Sequence, residues 1–140
     1  MSSRGTGIKT ADICDRYASS VEVCEPIFEG YGAVAAFAGP ISTVEVYEDN
    51  VLVREALEDL AAGTVLAVDG GGSRRCALIG DKLASIAASR GLEGIIVNGC
   101  VRDSGKWPGS RSASWLSRRA PSGATRCARA GETFPGASAA

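Results

Sequence analysis

Residues 64–103, TVLAVDGGGSRRCALIGDKLASIAASRGLEGIIVNGCVRD, leave this chain few folds to choose from. An apolar run at 65–68 meets a glycine-rich turn at 70–73. A helical pattern follows at 81–90, then a second apolar run at 94–97 and an Arg-Asp pair. Two short β-branched runs on either side of a helix of about ten residues read as a βαβ unit with parallel strands, since antiparallel strands need no crossover. In such a unit the C-terminal ends of the strands and the N-terminal end of the helix share one edge. Residues 70–73, residues 80–83, and Arg102 with Asp103 are therefore expected to converge. A helix N-terminus offers unpaired N–H groups to an anion, a guanidinium grips a carboxylate bidentately, and an adjacent carboxylate can hold a hard cation. Together these suit a small anionic substrate beside a metal.

The rest of the chain extends this unit. Thr10 is placed as the N-cap of a short helix to about residue 18, with Ile13, Cys14, Tyr17 and Ala18 on its inner face at helical spacing. Pro26 interrupts regular pairing within 21–28, and Gly30 and Gly32 bracket Tyr31 in a turn. Residues 33–38 are small and apolar; Gly39-Pro40 then breaks the chain before a strand at 41–47. Asn50 is placed as the cap of a helix at 51–62, with Leu52, Ala56, Leu57 and Leu60 as its inner stripe and Gly63 as its stop. Glu55, Glu58 and Asp59 fall on a solvated face. Strands at 41–47, 65–69 and 94–99 alternate with helices at 51–62 and 82–90, which argues for one layered α/β domain.

Composition narrows the chemistry. A chain of 140 residues suits a single domain that buries about 68% of its unfolded surface. The net charge of −1 hides a division: residues 1–103 hold nine Lys/Arg against fifteen Asp/Glu, or −6, whereas residues 104–140 hold six against one, or +5. There is no histidine, so zinc chemistry, histidine acid/base catalysis and a Ser-His-Asp triad are disfavoured or excluded. Cys14, Cys24, Cys76, Cys100 and Cys127 are odd in number and contain no CxxC pair, and are read as reduced, mostly buried small residues. No membrane span and no secretory signal are indicated, so a cytoplasmic protein is expected.

Residues 104–140 form a separate, low-complexity basic tail. They contain one aliphatic residue larger than alanine, Leu116, amid eight Ala, seven Ser and five Gly, and no period of 2 or 3.6 surrounds Trp107, Trp115 or Phe134. Such a segment cannot offset its ordering entropy by burial, and an irregular, disordered tail is expected. Tryptophans in a basic tail can also stack on single-stranded nucleic acid; with no pattern around them, nucleic acid is not taken as a partner.

Each motif also has a plainer explanation. The Gly70-Gly71-Gly72 run could serve a dinucleotide or a methyl donor, but GGGSRR is not GxGxxG and no acidic residue ends the next strand to hold a ribose. A turn needing positive φ explains it better. Arg74 and Arg75 are either surface charges or an oxyanion contact. Asp81 favours a helix start by about 0.3–1 kcal/mol against the dipole, which accounts for Asp81 alone but not for its spacing from Arg102-Asp103. Arg102 and Asp103 could form an ordinary surface ion pair. Their place at the exit of a buried parallel strand, opposite a helix N-terminus, favours a functional role.

The segments VDGGGSRRCALIGD and NGCVRD resemble the family of regulator of ribonuclease activity A-like proteins, which includes 4-hydroxy-4-methyl-2-oxoglutarate aldolases. Asp81, then twenty residues at 82–101, then Arg102-Asp103 reproduces the spacing of that family's aldolase signature. TADICDRY, EPIF and FAGPISTVEVYEDNVLVREAL carry the likeness through the rest of residues 10–103, where it ends. The resemblance implies a layered β/β/α, swivelling-domain-like fold. It also implies a class II aldolase, dependent on a divalent cation (Mg²⁺ or Mn²⁺), that releases pyruvate and decarboxylates oxaloacetate through the same enolate. By the same likeness, the backbone amides of Gly80, Asp81, Lys82 and Leu83 bind the substrate carboxylate. Arg102 binds substrate and stabilises the enolate, Asp103 ligates the metal, and a metal-bound water accepts the C4 hydroxyl proton. Family members assemble as trimers or hexamers with sites at subunit interfaces. Some instead inhibit ribonuclease E, but those depart from the signature kept here.

Where the resemblance implies a further helix and strands after Asp103, this chain has the arginine, serine, alanine and glycine that GC-rich codons yield out of register. The hypothesis is a shift of reading frame just after Asp103, which would leave an incomplete domain and an inactive product. Resequencing the gene tests it, and an in-register reading that still gives SGKWPGSRS sinks it.

Overall fold

The computed structural model describes residues 9–24, 26, 28–31 and 36–102, and the strand backbones of residues 114–119 and 125–126. Three helices, α1 (Thr10–Arg16), α2 (Val51–Asp59) and α3 (Asp81–Ser89), accompany strands β1 (Glu29–Tyr31), β2 (Ile41–Glu45), β3 (Val65–Asp69), β4 (Cys76–Ile79), β5 (Gly94–Val101), β6 (Ser114–Arg119) and β7 (Thr125–Arg126). The strands join one mixed sheet in the order β1-β6-β5-β3-β2, with β4 against both β5 and β7. The α/β fold with parallel pairing that the sequence predicts is the one found.

Register explains the core. β3 pairs in parallel with β2 and β5, so that Leu66 lies beside Ile95 and Val68 beside Val97. These four side chains share one buried cluster with Val53 and Leu57 of α2 and with Leu83, Ala84 and Ala87 of α3. Each large aliphatic buried in this way contributes about 1.5–3 kcal/mol. The alternate residues Thr43, Glu45, Ala67, Asp69, Ile96 and Asn98 line an open groove with Phe28. One face of the sheet is therefore dry and helix-covered, while the other is polar and half-exposed.

β5 changes partners along its length. Its first five residues pair with β3; after a register shift, Cys100 and Val101 pair with β4. All four residues of β4 are buried, and Leu78 fills the space above two glycines. A Cβ on Gly70 would collide with Leu78 Cδ1, and one on Gly99 would lie 2.8 Å from it. Gly71 and Gly72 have φ of 64° and 69°, as the turn requires.

Several expectations need correction. α1 starts with Lys9 as its N-cap, not Thr10, and buries no residue; Tyr17 is 50% exposed. β2 stops at Glu45 and α2 at Asp59. In α2 the buried residues are Val53 and Leu57, whereas Leu52 is half-exposed, because the inner stripe is rotated by one position. β4 lies between the glycine-rich turn and α3, where the sequence suggested no element: its four residues carry no alternation, since both faces are buried. Cys76 is disulfide-bonded rather than reduced. Cys14 is half-buried and Cys24 exposed, both as free thiols, and Cys100 is buried outside any disulfide. The irregular character expected of the C-terminal segment stands; the strand backbones of β6 and β7 are what is described there, and the remaining residues from 103 onward lie outside those described. Among the described residues no helix is long and apolar enough to cross a membrane.

Candidate active site

Where β4 ends, the chain turns directly into α3. Gly80 is the N-cap, with extended backbone, and its carbonyl accepts the first helical bond, from the Ala84 N–H at 3.0 Å. The N–H groups of Asp81, Lys82 and Leu83 thus precede the helical ladder, as in any first turn. Asp81 Oδ1 accepts from the Lys82 N–H at 2.9 Å, so that one of these amides is already engaged by the chain's own carboxylate. Leu83 is 7% exposed and pins the turn to the core.

Arg102 reaches the same place from β5. Its backbone N–H donates to the Ile79 carbonyl at 3.0 Å, continuing the β4–β5 pairing to the residue before Gly80. Asn50, Ala77, Gly80, Asp81, Lys82, Leu83 and Arg102 together line one small recess, with a cavity volume of about 50 Å³, that is partly open to solvent. Four of the expected substrate-binding residues and Arg102 are therefore brought together. Asp103, the expected metal ligand, lies outside the described residues. Among those described, no group of three or more His, Cys, Asp or Glu side chains could hold a metal ion.

The glycine-rich turn stands apart from this recess, because β4 intervenes between it and α3. Its amides are consumed internally: Gly70 and Gly72 donate to the Asn98 carbonyl at 3.0 and 3.1 Å, and Gly71 donates to Asp69 Oδ1 at 3.0 Å. Asn98 Nδ2 donates to the same Asp69 oxygen at 3.2 Å. No row of open donors is left for a pyrophosphate, which removes the dinucleotide alternative. Arg75 pairs with Glu48 at 3.5 Å, and Ser73 Oγ donates to Glu48 at 2.9 Å. This turn is a braced junction.

Asn50 enters the recess from α2. From sequence alone it has only the role of a helix cap. Yet its side chain makes no cap bond, since Asp49 Oδ1 takes the Val51 N–H at 2.8 Å. A spare capping residue just ahead of an expected cap is the signal that could have marked it.

The chain is thus an α/β protein with a recess framed by a helix N-terminus and an arginine. It belongs to the RraA-like (Aldolase/RraA) family, whose model matches residues 10–133. That match runs past Asp103, where the likeness read from the sequence ended. A Bacillus cereus protein provisionally named 4-hydroxy-4-methyl-2-oxoglutarate aldolase is 54% identical over 96 residues, covering 69% of this chain and 60% of the relative. A Burkholderia mallei protein with the same provisional name is 53% identical over 100 residues, covering 68% and 61%. The chain thus spans about 60% of the length of these relatives. Among solved structures, a Geobacillus kaustophilus protein described as an S-adenosylmethionine: 2-dimethylmenaquinone methyltransferase aligns with TM-score 0.81 at 49% identity, covering 89% of this chain and 76% of that one. The RNA-processing inhibitor RraA from Thermus thermophilis aligns with TM-score 0.80 at 39% identity, covering 89% and 74%.

Proposed function

We propose that this chain is a divalent-metal-dependent aldolase that cleaves 4-hydroxy-4-methyl-2-oxoglutarate-type acids to pyruvate and also decarboxylates oxaloacetate. The observation that carries this reading is the recess in which Arg102 faces the open first turn of α3. The N–H groups of Asp81 and Leu83 receive the substrate's C1 carboxylate, aided by the positive end of the helix dipole. Lys82 adds an exposed positive charge at the rim. Arg102 donates to the 2-oxo oxygen, and its guanidinium neutralises the charge that gathers there as the C4 hydroxyl gives its proton to a water and the C3–C4 bond breaks. Loss of carbon dioxide from oxaloacetate leaves the same pyruvate enolate, so one arginine serves both reactions.

The described residues supply one carboxylate to the recess, Asp81, and it is turned onto an amide. That donor set fits a cation which keeps most of its own water, as Mg²⁺ and Mn²⁺ do, with Asp103 as the expected protein ligand. Such a cation, when bound, supplies Lewis-acid polarisation of the 2-oxo group. Assembly as a trimer or hexamer, in the cytoplasm, belongs to the same proposal.

A coupled pyruvate-release assay on the purified full chain with Mg²⁺ tests this. Pyruvate release that EDTA abolishes and excess Mg²⁺ restores is the expected result. Absence of pyruvate release sinks the enzyme, and activity indifferent to chelator sinks the metal. The second reading, ribonuclease inhibition by protein contact, is supported by the Thermus neighbour's description. The retained Asp81, Arg102-Asp103 spacing favours the aldolase. Inhibition of ribonuclease E by a chain that releases no pyruvate reverses that order.

A further inference from the structure

The recess has one polar side chain that the proposed chemistry leaves without a task. Asn50 lines it, half-buried, at the start of α2. Its backbone carbonyl accepts from the Arg54 N–H at 3.0 Å, so its main chain is committed to the helix. Its side chain is not: the carboxamide makes no cap bond, and the Val51 N–H beside it is taken by Asp49 Oδ1. The other groups facing the recess are mostly donors or cations, namely Arg102, Lys82 and the first amides of α3. The Asp81 carboxylate faces its own helix and carries a charge that repels a dianion. The Asn50 carboxamide is the neutral group, and its Nδ2 can donate to a hydroxyl oxygen without placing a charge beside the substrate.

Resting on the aldolase reading, we infer that Asn50 is the specificity residue of this site: its Nδ2 donates a hydrogen bond to the oxygen of the substrate's C4 hydroxyl, leaving the hydroxyl proton to the base, and so selects hydroxylated 2-oxo diacids. Oxaloacetate carries no hydroxyl at that position and makes no use of Asn50. A site that pairs a substrate hydroxyl discriminates by the loss of that pairing.

The test compares two substrates in two variants of the full chain, with Mg²⁺ present. Asn50→Ala lowers kcat/KM for 4-hydroxy-4-methyl-2-oxoglutarate roughly tenfold, the scale of one neutral hydrogen bond. Its oxaloacetate decarboxylation falls less, and a thermal melt near that of wild type serves as the check on folding. Asn50→Ser provides a good helix cap but a shorter side chain, and shows the same selective loss. Parallel losses on both substrates overturn the assignment, as does recovery in Asn50→Ser, which would mean that capping is the role. A wild-type chain that decarboxylates oxaloacetate but leaves the hydroxy acid intact also overturns it. A wild-type chain inactive on both substrates refutes the aldolase reading, and this inference falls with it.

Discussion

Replacing Arg102 by alanine is expected to lower kcat/KM for pyruvate release by roughly a hundred- to a thousand-fold, the usual consequence of removing one preorganised donor from a developing oxyanion. The fold should survive. Arg102 is half-buried at the end of β5, and its backbone N–H donates to the Ile79 carbonyl, a bond that alanine keeps. Arg102→Lys retains the charge but not the planar fork, so an intermediate loss is expected. Steady-state kinetics with thermal melting of each variant separate the two effects. A cooperative melt near that of wild type together with undiminished pyruvate release would remove Arg102 from the chemistry.

Ile79→Ala is expected to have the largest effect on stability, about 2–5 kcal/mol. Ile79 is completely buried, pairs with Val101 across β4 and β5, and presents its carbonyl to Arg102. Truncation opens a cavity under the turn that carries Gly80. Against a total stability of about 5–15 kcal/mol, that loss is a large fraction. Urea unfolding should show a lower midpoint with an unchanged slope. A loss under about 1 kcal/mol would mean that the core beneath the recess collapses onto the vacated space.

How far the fold could be read from the residues depended on what each segment packs against. β3, α3 and β5 were legible because β-branched runs and a helical stripe agree with their burial. The buried strand β4 was not: CALI is a short apolar run with no period of its own, and only its pairing with β5 makes it a strand. β6 was equally opaque. Its sequence, SWLSRR, is poor in aliphatics, yet its backbone lies between β1 and β5, with partners on both sides. Local composition says nothing of such partners. Gly80, Asp81, Lys82, Leu83 and Arg102, which line the recess, were singled out by spacing and resemblance. The exclusion of the glycine-rich turn was not foreseen, because it follows from a strand that the pattern concealed. Asn50 was masked by its own plausibility as a cap.

The change of partner along β5 has a mechanical result. A single length of backbone borders β3 at one end and β4 at the other, and the strand that carries Arg102 is also the spine of the sheet. Fraying at the outer edge, β2, can proceed while the spine holds, but parting β5 from its neighbours dismantles everything at once. The arginine is therefore mounted on the part of the molecule slowest to open. Its alignment with the first turn of α3 should last as long as the native state does.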